Sequence, residues 1–82
     1  MAQFLGVHKL QEGMSEGDVR AGYTNYKESA VKMGLKPVHA HLSMEKGFAY
    51  CVTEAPSAED VRRAHADVAI PLEDVIEIET IE

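Results

Sequence analysis

The stretch Lys36–Glu54, reading K-P-V-H-A-H-L-S-M-E-K-G-F-A-Y-C-V-T-E, constrains the fold more than any other part of the chain. Two runs of strand-forming residues flank a short polar segment that ends in glycine, the pattern of a β-hairpin. Successive strand side chains point to opposite faces, so Val38, Ala40 and Leu42 fall on one side and His39 and His41 on the other. In the returning run Phe48, Tyr50 and Val52 alternate with Ala49, Cys51 and Thr53, and the bulkier set is expected to join Val38 and Leu42 over the core. Cys51 then shares the histidine face. Pairing Ser43 with Gly47 across a bulged three-residue connection keeps the faces consistent and sets His39 opposite Cys51, about 5 Å apart at Cβ. A five-residue loop would set His41 there instead.

The segments on either side extend the pattern. Gln3–Lys9 alternates as a first strand, with Leu5 and Val7 on one face and Phe4, Gly6 and His8 on the other. Ser15 followed by Asp18 reads as a helix cap, and Val19, Tyr23, Tyr26, Ala30 and Met33 recur at helical spacing down to a stop at Gly34. After the hairpin, Ser57 with Asp60 caps a second helix whose inner stripe carries Val61, Ala64, His65 and Val68. Pro71 closes that region, and Val75–Ile81 alternates as a last strand with Ile76 and Ile78 opposite Glu77 and Glu79.

Strand, helix, strand, strand, helix, strand is the order of a split βαβ repeat, because right-handed crossovers leave few other arrangements. The expected fold is therefore an α+β, ferredoxin-like βαββαβ sandwich occupying residues 1–82 as a single domain, with an antiparallel sheet of order 4-1-3-2. Both helices are expected over the face holding Leu5, Val7, Val38, Leu42, Phe48, Tyr50, Val52, Ile76 and Ile78. The other face would expose Phe4, Gly6, His8, His39, His41, Ala49, Cys51, Glu77 and Glu79, and a homodimer using that face or an edge strand would cover it.

At 82 residues the chain is small enough that a partner surface would add materially to its stability. A net charge of −6, with only Arg62 and Arg63 adjacent among the basic residues, argues against nucleic acid. No apolar run approaches a membrane span and no secretory pattern opens the chain, so the expected setting is the cytoplasm. One cysteine cannot form an internal disulfide, which agrees with a reducing compartment.

Histidine, thiol and carboxylate are metal-ligand types. His39 and His41, about 6.5 to 7 Å apart at Cα along one strand, reach a common ion with their imidazoles. Cys51 shares their predicted face, while His8 falls nearer to Glu77 on the neighbouring last strand. The candidate metal ligands are thus His39, His41, His8, Cys51 and Glu77. Each has a plainer reading: exposed histidines without a ligand, a small buried cysteine, carboxylates on a solvated strand face. His65 reads as a core or interface histidine rather than a ligand, and Tyr23 and Tyr26 as core. No nucleophile elbow, oxyanion hole or orienting third residue accompanies Cys51.

The segment Y-C-V-T-E-A-P-S-A-E-D-V from Tyr50, followed by His65, Pro71 and the closing Val75–Ile78, resembles a family of small bacterial proteins grouped as a domain of unknown function. Val7-His8-Lys9 and Gly13-Met14-Ser15 carry the likeness to the first strand and first cap. That family includes a nickel-binding protein of actinobacteria, a ferredoxin-like homodimer, and the resemblance implies this fold, a homodimer and a nickel role. It places His8, His39, Cys51 and His65 at family positions, whereas His41 departs from a strand region that often holds an aromatic residue.

The leading expectation is a small cytoplasmic metal-binding protein, with nickel first and zinc or copper next, acting in sequestration or sensing rather than catalysis. The competing expectation is a small enzyme or organic-ligand module of the dimeric α/β-barrel kind, using the open sheet face with His39 or His41 as acid or base. A binding module whose histidines hold nothing is the third.

Overall fold

The computed structural model describes residues 1–82. Its elements are β1 (Ala2–Lys9), α1 (Glu16–Lys32), β2 (Lys36–Ser43), β3 (Phe48–Ala55), α2 (Ala58–Ala66) and β4 (Asp74–Ile78). The four strands form one sheet in the order β2-β3-β1-β4, every neighbouring pair antiparallel. This is the 4-1-3-2 order expected for the ferredoxin-like βαββαβ sandwich, read from the other edge.

Both helices begin at the expected caps. The Ser15 hydroxyl accepts from the Asp18 backbone N–H at 3.1 Å, and the Asp18 carboxylate accepts from the Ser15 N–H at 2.9 Å, a reciprocal capping box. Ser57 accepts from the Asp60 N–H at 3.3 Å in the same way. The α1 helix stops at Met33, and Gly34 turns the chain with φ of +80°, a left-handed conformation that suits glycine. The helices are tied to each other where the buried Ser29 hydroxyl donates to the Ala64 carbonyl at 2.9 Å.

The hairpin register differs from the sequence expectation, and the difference inverts the sheet. Ser43 pairs with Phe48 rather than Gly47, so Met44 through Gly47 all lie in the turn. The connection has one residue more than expected, and a one-residue slip moves every side chain of a strand to the opposite face relative to its partner. His39 therefore faces Val52, His41 faces Tyr50, and Ala40 faces Cys51. A bulge between Pro37 and His39 takes Val38 out of the pairing.

The helices cover the face that carries Phe4, Gly6, His8, Ala49, Cys51 and Thr53, not the face with the larger alternating set. Leu5, Val7, Phe48, Tyr50, Ile76, His39 and His41 lie on the uncovered side. Small residues on the covered face let the helices approach closely, and the bulk between the layers comes from the helices themselves. Tyr26 of α1 and His65 of α2 are each 1% exposed, and the Tyr26 hydroxyl and the Thr53 hydroxyl share a hydrogen bond of 2.6 Å across the layers. Interiors are filled to crystal-like density, so large helix side chains require small strand partners. The uncovered face keeps apolar residues in contact with solvent, with Ile76 44% exposed and the Phe48 and Tyr50 rings stacked at 6.2 Å.

Candidate metal centre

Three side chains from three elements converge beneath the helices: His8 near the end of β1, Cys51 in the middle of β3 and His65 in the last turn of α2. Their ligand atoms all lie within 4.8 Å of one another. Gly6 makes room for the thiol, since a Cβ at that position would stand 2.6 Å from Cys51 Sγ. Tyr26 stacks on the His65 ring at a centroid distance of 3.9 Å and fixes its plane.

Hydrogen bonds set the tautomers. His65 Nδ1 lies 2.8 Å from the Val61 carbonyl and His8 Nδ1 lies 3.0 Å from the Pro71 carbonyl. A carbonyl only accepts, so each Nδ1 carries the proton and donates. In the neutral imidazole each Nε2 is then a bare lone pair. His8 Nε2 is 3.4 Å and His65 Nε2 3.5 Å from the same Cys51 Sγ. One S–H cannot satisfy two acceptors, so the triad holds one more lone pair than it has protons to fill.

Burial reinforces this state. It pushes the His65 pKa down to about 4, against the Val61 hydrogen bond and helped by His8, and it lowers His8 as well. Burial also pushes the Cys51 thiol up to about 11. At neutral pH the triad is two neutral imidazoles around a thiol. That combination opposes catalysis by a free thiolate, because the thiol is held protonated and both imidazoles are weak bases.

The same donor set suits a borderline or soft transition-metal ion. Metal-ligating histidines commonly donate the other ring N–H to a backbone carbonyl, the arrangement seen at both His8 and His65. With bonds of about 2.0 Å to nitrogen and 2.3 Å to sulfur, cis ligands around an ion lie about 3 to 3.5 Å apart. The two N···S separations already match that spacing.

The remaining predicted ligands lie elsewhere. His39 and His41 sit on the uncovered face of the edge strand β2, both exposed, their ring centroids 4.8 Å apart. The register that would have brought Cys51 to them does not form. Glu77 pairs with Phe4, four residues from His8 along β1 and so about 13 Å away along the strand. It is exposed and outside the triad. His65, expected as a core or interface histidine rather than a ligand, is buried and also belongs to the triad. The sequence signal that could have found it was the inward position of an imidazole on a stripe otherwise made of valine and alanine.

A cleft of about 880 Å³ runs between α1 and the sheet and reaches the triad, with Tyr23, Tyr26, Lys27 and Leu42 among its walls. It lies mainly on the helix-covered side, and at its β2 end His41 and Tyr50 also line it.

Comparison with known proteins gives two findings. Residues 4–78 match the family model described as "Nickel responsive protein SCO4226-like". The fold superposes on the crystal structure of SCO4226 from Streptomyces coelicolor A3(2) with a TM-score of 0.87, covering 99% of this chain and 100% of that one at 22% identity. A likeness at that identity shows the shared fold. A search of curated proteins finds no match.

Proposed function

Because this chain belongs to the nickel-responsive SCO4226-like family, we propose that it binds a divalent transition-metal ion, nickel first and zinc or copper next, through His8, Cys51 and His65. The observation that carries this reading is the convergence of two unprotonated Nε2 atoms on one thiol sulfur. A cation there takes both lone pairs and displaces the thiol proton, which replaces an undersatisfied buried cluster with a compensated one. The role is sequestration or sensing of the ion in a reducing, cytoplasmic setting. Three ligands drawn from β1, β3 and α2 do not exist together in the unfolded chain, so occupancy and folding are coupled.

The functional unit is a homodimer closed over the uncovered sheet face. A contiguous apolar face of this kind marks an interaction surface, and the family resemblance favours a second copy as its cover. His39 and His41 on that face form a second, weaker place for an ion, supported by their adjacent rings.

Calorimetric titration of tag-free, chelator-treated protein with Ni²⁺ and Zn²⁺, in two buffers of different ionisation enthalpy, tests the reading. The expected result is one tight ion per chain with release of the thiol proton, both lost in His8→Gln and in Cys51→Ser. A His39→Ala, His41→Ala double variant should lose only the weaker step. Unchanged tight binding in the His8 and Cys51 variants would refute the assignment.

A further inference from the structure

The Tyr23 hydroxyl is buried with no hydrogen-bond partner. A buried hydroxyl left unpaired is costly, and native proteins seldom tolerate one without a reason. Tyr23 lines the same cleft as His8, Cys51 and His65, and its ring stands 6.3 Å from that of Tyr26, which stacks on His65. The orphaned donor and the triad thus border one space.

The walls of that space are charged in a way the rest of the protein is not. The chain carries a net charge of −6, yet Lys9 and Lys27 line the cleft without a carboxylate partner. Arg20 is paired with Glu16 at 2.9 Å, and Asp18 is held in the α1 capping box. The Lys27 ammonium stands over the Tyr23 ring, 5.1 Å from its centroid. The cleft is within the size range of small-molecule sites, far larger than a single water requires.

We propose that the cleft admits a small carboxylate-bearing ligand that shares the ion with His8, Cys51 and His65, with the Tyr23 hydroxyl donating to its carboxylate and Lys27 neutralising its charge. This rests on the metal-binding reading above. Three protein ligands leave a coordination position open, and an oxygen donor from outside the chain is what the orphaned hydroxyl is placed to receive. The protein then accepts its ion together with a small organic acid, as a ternary complex, rather than as the bare hydrated cation.

The test uses the full chain loaded with Co²⁺, whose visible absorption reports its ligands, and acetate as the probe. Loading itself is read from the thiolate-to-cobalt charge-transfer band before acetate is added. The expected result is a saturable change in the d–d bands on adding acetate. Tyr23→Phe should leave cobalt affinity and the charge-transfer band intact while raising the half-saturating acetate concentration about tenfold or more, the worth of a hydrogen bond to a charged group. Lys27→Gln should weaken acetate in the same direction by a smaller factor. Loading without any acetate response, or equal acetate affinity in Tyr23→Phe, overturns the ternary complex and leaves the metal reading standing. Failure to load cobalt overturns both.

Discussion

Replacing Gly6 by alanine is the smallest change that reaches the triad. The added Cβ would stand 2.6 Å from Cys51 Sγ, 3.3 Å from Leu72 Cδ2 and 3.6 Å from His65 Cε1. Van der Waals contact needs roughly 3.5 to 4.0 Å, so only the sulfur is in severe conflict, by about 1 Å. The leucine methyl can rotate away. The sulfur cannot move freely, because it sits between two imidazole nitrogens at 3.4 and 3.5 Å. With the sulfur held in place, overpacking costs about 2 to 3 kcal/mol, the upper part of the usual range, and replacing a strand glycine by alanine returns about 0.5 to 1 kcal/mol, so the net loss is about 1 to 2.5 kcal/mol. For a domain of this size that lowers Tm by about 5 to 15 °C. Thermal unfolding of chelator-treated protein by circular dichroism reads it. The decisive comparison is Gly6→Ala in a Cys51→Ala background, where the clashing atom is gone and the penalty should vanish, an interaction of about 2 to 3 kcal/mol. An equal penalty in both backgrounds, or no penalty in either, would refute the claim that Gly6 exists to seat the thiol.

Acid should weaken the metal-free protein through the buried histidines. His65 titrates near its ordinary 6.5 when unfolded and at about 4 when folded, so below 6.5 the unfolded chain takes up more protons. Stability from this group is complete above 6.5 and is lost as pH falls toward 4, by about 3 kcal/mol at most, with His8 acting in the same direction. Denaturant midpoints measured across this range should fall more steeply for the parent than for His65→Phe, and parallel curves would contradict the assignment. On the uncovered face, the proposed homodimer should sediment as a dimer, and Val7→Asp, which places a charge at the middle of the sheet, should convert it into monomer without lowering the helix signal. A variant that sediments as the parent does would locate the interface elsewhere.

Much of the fold was legible because its signals are local. Ser15 with Asp18 and Ser57 with Asp60 announced both helices, and the order of elements left one economical sheet topology. The face that meets the helices was not legible, for two reasons. Both alternating sets in β3 are apolar enough to be buried, Phe48, Tyr50 and Val52 on one side and Ala49, Cys51 and Thr53 on the other, so hydrophobicity alone does not choose. Size misleads here, since Tyr26 and His65 bring the bulk from the helix side and demand small residues opposite. The turn compounded this, as a connection one residue longer exchanges the partners of His39 and His41. The triad was half visible for the same reason. His8 and Cys51 shared a predicted face and do share one, but their companion comes from α2, a contact no strand periodicity reports.

The two rims of the sheet decide how copies of this protein can meet. At one rim β2 carries Pro37, which has no amide hydrogen to offer, beside a bulge that breaks the regular ladder. At the other, β4 is only five residues long. Neither rim presents a long, flat row of free amides and carbonyls for a neighbouring strand to copy. Strand-by-strand growth into an extended intermolecular sheet is therefore disfavoured at both sides, and stacking is the contact between copies that the apolar surface favours. A stacked pair closes on itself, whereas edge addition has no natural end. The placement of one proline and the brevity of one strand thus work against aggregation of an exposed apolar sheet through its edges.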